Sequence, residues 1–323
     1  MTAQITIADI IAASKNVYEF LSPTPLRHYQ SLSDMLDANI WLKLENHNPT
    51  CAFKVRGGIN FLSELSDEQR QAGVYTASTG NHGQSIAFAA KAFAMQASIY
   101  VPEVANPGKV ASMQSFGAHV IHQGKDFDEC RAAALAAAQE NNGLFIGPTD
   151  EALIRGVGSY GLEIMHDLPN VDVIIVPVGA GSGICATAIV AKAINPKIKI
   201  IGVQSAQAPA MQLSWKKKQL IESHMHTIAE GLATRIPFVN TQEIMLKYVD
   251  EFVLVDDQDI INACKTLIEN THNLIEEASA STLAAAMKIK PHLKNLNVVM
   301  VISGGNISMQ NLYQLLQSDF KDS

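Results

Sequence analysis

Short runs of β-branched and aliphatic residues alternate with alanine-rich amphipathic stretches along nearly the whole 323-residue chain, and this alternation restricts the fold more than any other feature. Candidate strands are Ile40–Leu44, Val74–Ala77, Ser98–Val101, His119–His122, Leu144–Ile146, Val173–Val178, Lys199–Val203, Glu251–Val255 and Val298–Ile302. Between them lie helical segments such as Gln84–Ala94, Phe127–Gln139, Ile184–Ile194 and Thr282–Lys290. Strands that read as continuous apolar runs, spaced by helices, belong to parallel sheets covered on both faces. The expected class is α/β. Nine strands are many for one sheet, so two sheets are expected, with no flexible linker to separate them.

Composition then removes whole classes of function. With 47% hydrophobic and 17% charged residues the chain is globular rather than disordered. A formal net charge of -7 gives no electrostatic reason to bind nucleic acid or an anionic membrane. No apolar run approaches the ~18 residues a membrane span needs. The first residues read as an amphipathic helix (Ile7, Ile10, Ile11, Ser14, Val17) rather than a secretion leader. Cys51, Cys130, Cys185 and Cys264 lie far apart, so neither disulfides nor a zinc ribbon is expected. A soluble cytoplasmic protein is the expectation.

Three strand-to-helix turns concentrate Gly, Ser, Thr and Asn: Ser78-Thr79-Gly80-Asn81-His82-Gly83-Gln84, Gly179-Ala180-Gly181-Ser182-Gly183 and Ser303-Gly304-Gly305-Asn306. Glycines there let backbone N–H groups converge on an anion, and the following helix adds its positive end. In α/β folds ligands collect at this end of the strands. A fourth segment, Thr50-Cys51-Ala52-Phe53-Lys54-Val55-Arg56-Gly57-Gly58, supplies a reactive group. A lysine is ordinarily a solvated surface residue, yet in a partly apolar cleft it can become a nucleophile or Schiff-base partner. An amine together with an anion cradle suits a phosphorylated carbonyl cofactor.

On these residues the chain resembles the fold-type II family of pyridoxal-phosphate (PLP) enzymes, and within it the threonine/serine dehydratase and serine racemase branch. The motifs are Phe53-Lys54-Val55-Arg56-Gly57, Gly80-Asn81-His82-Gly83-Gln84, Gly179–Gly183, Glu230-Gly231-Leu232-Ala233 and Ser303-Gly304-Gly305-Asn306. The resemblance implies two doubly wound domains of the tryptophan synthase β type, a large PLP-binding one from residues 1–70 and 151–323 and a small one from 71–150. It implies that Lys54 joins the cofactor as a Schiff base, Phe53 packs on its ring and Asn81 bonds its 3′-oxygen. Gly179, Ala180, Gly181, Ser182 and Gly183 would hold its phosphate, and Ser303 would face the pyridine nitrogen. Ser78, Thr79, Gly80, Asn81 and His82 would bind the substrate carboxylate. A homodimer is a further implication, and since the chain ends shortly after Ser303–Asn306 no C-terminal regulatory domain is expected.

The implied reaction is an α,β-elimination that turns L-threonine, or L-serine, into a 2-oxo acid and ammonia, with Lys54 as base and Thr79 beside it. Ser303 carries no charge, and a weak electron sink suits elimination, where the departing hydroxyl takes the electrons. Departures from the pattern are Cys51-Ala52 in place of Gly-Ser, Ala180 and Ser182 within the phosphate loop, and Gly147-Pro148-Thr149-Asp150 in place of His-Pro-Phe-Asp. They loosen the inference to threonine and leave cofactor binding intact.

Other readings compete. In the racemase branch a serine stands where this chain has Thr79, whose methyl crowds the site. Arg155 and Arg235 raise a preference for 3-hydroxyaspartate, against the plainer reading of surface ion pairs. A cysteine synthase-like replacement enzyme is disfavoured by His82 after Asn81. Gly156-Val157-Gly158-Ser159-Tyr160-Gly161 fits a dinucleotide fingerprint, but it opens on a helix rather than a strand, so close helix packing is expected. A non-catalytic binding module would need Lys54 to be idle. Some dehydratases and racemases carry a structural divalent cation, but the matching stretch, Gln204-Ser205-Ala206-Gln207-Ala208-Pro209-Ala210, offers amides. No metal is expected there, nor at His119/His122 or His224/His226. Lys216–Lys218 reads as a solvated face.

Overall fold

A computed structural model of the chain describes residues 5–317. Among them are ten strands: β1 (Leu26–His28), β2 (Asn39–Leu44), β3 (Val74–Ala77), β4 (Ala97–Val101), β5 (His119–His122), β6 (Leu144–Phe145), β7 (Val173–Pro177), β8 (Lys199–Ser205), β9 (Glu251–Val255) and β10 (Asn297–Ile302). They form one sheet of six, in the order β1-β2-β10-β7-β8-β9, and one of four, in the order β5-β4-β3-β6. Every pairing is parallel except the antiparallel β1/β2 pair. All nine expected strands form. The tenth, β1, is a three-residue edge strand, too short and too exposed to show a pattern in sequence.

The chain groups into two compact units. The first takes residues up to Ser22 together with Phe53–Ser159, and contains the four-stranded sheet. The second takes Pro23–Ala52 and the chain from Tyr160 onward, with the six-stranded sheet. The stretch 71–150 thus lies wholly in the first unit, joined there by the helices Ile7–Tyr18 and Lys54–Ser63. The latter packs against the helix Asn81–Ala92. Close approach is built into the sequence at Gly58, where a Cβ would fall on the Ser85 hydroxyl.

In the first unit, Val55, Ile59 and Leu62 pack with Ile86, Ile99 and Val101. In the second, alternate residues of β2, β7 and β10 (Ile40, Leu42, Val173, Ile175, Val298, Met300) form the centre of the core. The helix Glu277–Lys288, rich in Ala and Ser, is buried over its first ten residues, because small side chains let a helix lie close on a sheet. Charged groups are buried in this unit as well. Lys43 on β2 is fully buried; its ammonium is ion-paired with Glu163 and donates to the Thr24 carbonyl at 2.6 Å.

The GxGxxG string falls inside the helix Glu151–Asp167. A Cβ on Gly156 would lie 2.5 Å from the Arg56 carbonyl oxygen, and one on Gly158 would lie 2.6 Å from Ile10. These glycines serve packing, as expected. No helix among the described residues is long and apolar enough to cross a membrane.

Candidate active site

Both sheets contain a point where the winding direction reverses, and there the loops at strand carboxyl ends diverge to leave a crevice. In the four-stranded sheet the chain winds β3, β4, β5 outward, then returns to place β6 on the other side of β3. The loop after β3 is Ser78–Gly80 and the loop after β6 is Gly147–Asp150. In the six-stranded sheet β7, β8 and β9 run one way, and β10 returns to the other side of β7. The loops after that adjacent pair are Gly179–Gly183 and Ser303–Asn306. The motifs singled out in sequence therefore fall at the two reversal points.

In the first unit, Lys54 opens the helix Lys54–Ser63. Its Nζ lies 3.4 Å from the Pro148 carbonyl, to which it donates, and 5.3 Å from the centroid of the Phe53 ring. Burial lowers the amine from 10.5 to about 8, since a low-dielectric setting disfavours the charged form. The helix is held at this end by Ser85, whose hydroxyl donates to the Lys54 carbonyl at 2.6 Å.

The loop after β3 leads straight into the helix Asn81–Ala92. Gly80, its N-cap residue, provides no side-chain cap, and its N–H donates to Ser78 Oγ at 3.2 Å. Ser78, Thr79, Gly80 and Asn81 are partly exposed, whereas His82 is buried. The His82 Nε2 approaches the Ile146 carbonyl at 3.3 Å, while Nδ1 has no hydrogen-bond partner among the described residues. Burial, reinforced by the nearby Lys54 charge, lowers the imidazole to about 3. The ring is neutral, with Nε2–H turned to the carbonyl and a buried acceptor at Nδ1 left over, a place for a donor that the protein itself does not supply.

In the second unit, the loop after β7 turns through Gly181 at φ +100° and enters the helix Ser182–Ile194. A Cβ on Gly181 would lie 2.9 Å from Thr241, and one on Gly179 would fall on the Gly231 carbonyl. Neither place has room for a side chain. The Ala180 carbonyl is taken by the Thr241 hydroxyl at 2.8 Å, and Ser182 starts the helix. Backbone donors at a helix N-terminus, beside glycines that must stay bare, fit a phosphate.

After β10, Ser303 is buried and its Oγ lies 3.0 Å from that of Ser279. The Gly304 N–H donates to Ser279 Oγ at 2.8 Å. Gly304 has no room for a Cβ because Glu276 Oε1 would be 2.5 Å away. Cys51 leads back to this turn, its carbonyl accepting from Gly305 N–H at 2.9 Å. Its thiol is raised by burial and by the Glu276 carboxylate, which makes it a poor nucleophile.

Glu276, Ser279 and Thr241 are the functional neighbours that sequence reasoning missed. The only signal for the first two was an acidic pair, Glu276-Glu277, directly ahead of a small-residue helix. The unsettled arginines resolve differently. Arg155 pairs with Glu64 at 2.5 Å within the first unit, a partly exposed ion pair, and Arg235 is exposed. Both histidine pairs, His119/His122 and His224/His226, are exposed, as is Lys216–Lys218.

Comparison with known proteins agrees with this arrangement. A family profile described as pyridoxal-phosphate dependent enzyme matches residues 17–304. An "L-threonine ammonia-lyase" of Thermotoga maritima is 38% identical over 97% of this chain and 78% of its own length. Among solved structures, the processed form of threonine deaminase isoform 2 from Solanum lycopersicum is similar with a TM-score of 0.92 and 32% identity, covering 96% of this chain and 91% of that one. Maize serine racemase is similar with a TM-score of 0.92 and 29% identity, covering 99% of each chain. A half-buried lysine of lowered basicity, a glycine cradle at a helix start and a match over most of the chain lead to one conclusion: the chain belongs to the pyridoxal-phosphate-dependent enzymes, in their fold-type II architecture.

Proposed function

We propose that the protein is an ammonia-lyase acting on a small β-hydroxy amino acid, with L-threonine preferred to L-serine. The carrying observation is the Lys54 amine, desolvated near a loop built to accept a carboxylate. The name of the Thermotoga maritima relative supports threonine as substrate. PLP, when bound, supplies the electron sink for the bond broken at the substrate Cα. Lys54 would carry the cofactor aldehyde, and its Nζ would hold or move a proton. With its pKa near 8, a useful fraction is unprotonated close to neutrality.

The other residues bind and orient. Gly179–Gly183 would hold the cofactor phosphate through backbone N–H groups and the Ser182 hydroxyl. Phe53 and Asn81 would fix the ring and its 3′-oxygen. The Ser78–His82 loop takes the substrate carboxylate on the first turn of its helix, with the Thr79 hydroxyl beside it. Ser303, bonded to another hydroxyl rather than a carboxylate, would offer a bound cofactor ring no counter-charge, an arrangement that suits elimination. Overall, threonine loses water from Cα and Cβ and regains it as ammonia leaves, giving 2-oxobutanoate.

Incubation with L-threonine, L-serine and 3-hydroxyaspartate, scored by 2-oxo acid release, tests the assignment. Borohydride reduction followed by peptide mapping should place the cofactor on Lys54. A label elsewhere, or no turnover of any of the three, would overturn it. Racemisation is the second reading, supported by the likeness to maize serine racemase and opposed by the Thr79 methyl. Chiral analysis showing D-serine formed faster than pyruvate would reverse the ranking. We infer a cytoplasmic homodimer. Four cysteines without a disulfide fit a reducing compartment, and exposed Met309, Tyr313 and Leu316 on one helix suit burial in a subunit contact.

A further inference from the structure

Behind the Gly179–Gly183 loop, the end of β8 holds a buried amide that the proposed reaction leaves unused. Gln204 is 0% exposed. Its Nε2 donates to the Leu232 carbonyl at 3.4 Å, and its Oε1 accepts from Gln212 N–H at 3.1 Å. One neutral group therefore ties β8 to the first turn of the helix Ala210–Lys217 and to the turn Glu230–Leu232. The Gln212 N–H belongs to a helix start that lacks a side-chain cap, so this bond satisfies a donor that would otherwise be orphaned.

What the amide holds matters for the loop. The Gly231 carbonyl lies where a Cβ on Gly179 would be. On its other side, a Cβ on Gly231 would meet Ala278 at 2.8 Å. The turn is thus wedged between the helix Glu277–Lys288 and the first residue of the loop. Any slackening at Leu232 reaches Gly179 directly, because packed backbone has no room to absorb it. The loop's own strand is tied to β8 as well, Val178 N–H donating to the Val203 carbonyl at 2.8 Å.

The divalent cation that the family resemblance raises does not fit here. Hard cations take several oxygen ligands, with carboxylates foremost. The stretch from Gln204 to Ala210 contains no acid, and the Gln204 oxygen is already engaged. Two acids bond to this stretch: Asp256 accepts from Gln207 Nε2 at 3.3 Å, and Asp257 is filled as well. One of its oxygens accepts from Ser205 Oγ and Thr227 Oγ1, both at 2.7 Å, and the other from Ile228 N–H at 2.8 Å. Among the described residues no group of three His, Cys, Asp or Glu side chains is arranged to hold a metal.

We propose that Gln204 is a positioning residue for the Gly179–Gly183 loop, and that its amide makes cofactor retention independent of divalent cations. The proposal rests on the reading of that loop as the phosphate cradle. The test uses the holoenzyme and follows the loss of bound PLP absorbance during dialysis against inorganic phosphate, in EDTA or in millimolar magnesium or calcium. The unmodified enzyme should release PLP at the same rate, within about twofold, in all three solutions.

Gln204→Glu keeps the acceptor for Gln212 but sets an acceptor against the Leu232 carbonyl. It should release PLP about tenfold faster, the equivalent of one hydrogen bond, while the thermal midpoint of the PLP-free protein moves little. Release from the unmodified enzyme that quickens more than about fivefold in EDTA would overturn the proposal. So would Gln204→Glu holding PLP as the unmodified enzyme does, or losing apo stability with no change in PLP release. Should that variant fail to fold, Gln204→Leu and the EDTA arm on the unmodified protein still decide. Gly179→Ala is the control. If it retains PLP normally, the phosphate-loop reading itself fails; if it loses PLP while Gln204→Glu does not, only the role of Gln204 fails.

Discussion

Two side chains in the first unit show how burial, foremost among the causes, prepares a group for chemistry. Lys54 at about 8 should attach PLP to the apo-protein at a rate that climbs with pH and levels above about 8, rather than above 10.5. Stopped-flow absorbance checks this. Lys54→Ala should lower turnover by about a thousandfold or more and abolish borohydride labelling. His82 titrates in the opposite sense to a stabilising ion pair. Its folded pKa is about 3 against an ordinary value of 6.5, so the unfolded chain binds the extra proton between those limits. The cost to stability starts as pH falls through 6.5 and grows until pH 3. His82→Gln should flatten that acid limb by about one proton, measured by urea unfolding across a pH series. Lys54 was legible as a candidate because glycine loops surrounded it in sequence. The orphaned Nδ1 of His82 was not, since it depends on the Ile146 carbonyl, 64 residues away.

At the level of elements, the periodicity of apolar residues was enough to find nine strands and the main helices, because buried parallel strands advertise themselves by unbroken Val and Ile. It did not reveal β1, which is edge-exposed, nor which helices group with which sheet. The helices Ile7–Tyr18 and Lys54–Ser63 belong with the four-stranded sheet through contacts such as Asn16 Nδ2 to Asn60 Oδ1 at 3.0 Å, which no local pattern encodes. The GxGxxG string is the case where local pattern misleads and context corrects. Gly156→Ala should destabilise by about 1–3 kcal/mol, because the new methyl meets the Arg56 carbonyl, which is backbone and gives little. Chemical denaturation with unchanged affinity for nicotinamide dinucleotides, none in either form, would confirm a purely steric role.

For the whole molecule, the core charge is the least expected feature and the most exposed to mutation. Lys43→Met takes the ammonium away from the buried Glu163 carboxylate, which keeps the Thr24 N–H as a donor at 3.1 Å, and should cost about 3 kcal/mol, seen as a lower urea midpoint with an unchanged slope. Its placement was hidden in sequence, since Lys43 sits in a run that otherwise reads as a plain strand. The two reversal points, by contrast, were partly legible: Gly-rich loops after β3, β7 and β10 stood out without any knowledge of strand order. Which loops become neighbours followed only from the crossovers.

The pairing of β2 with β10 has a consequence for how the polypeptide is made. Asn39 and Asn297, joined across that pair, are 258 residues apart. At roughly 5–20 residues per second on the ribosome, β2 waits on the order of 10–50 s for its parallel neighbour. Through that interval an apolar ribbon carrying a lysine emerges with only β1 to lie beside it. Nascent chains of this protein should therefore engage chaperones from about residue 80 until the last strand is out, and a truncation before Asn297 should aggregate rather than fold in part.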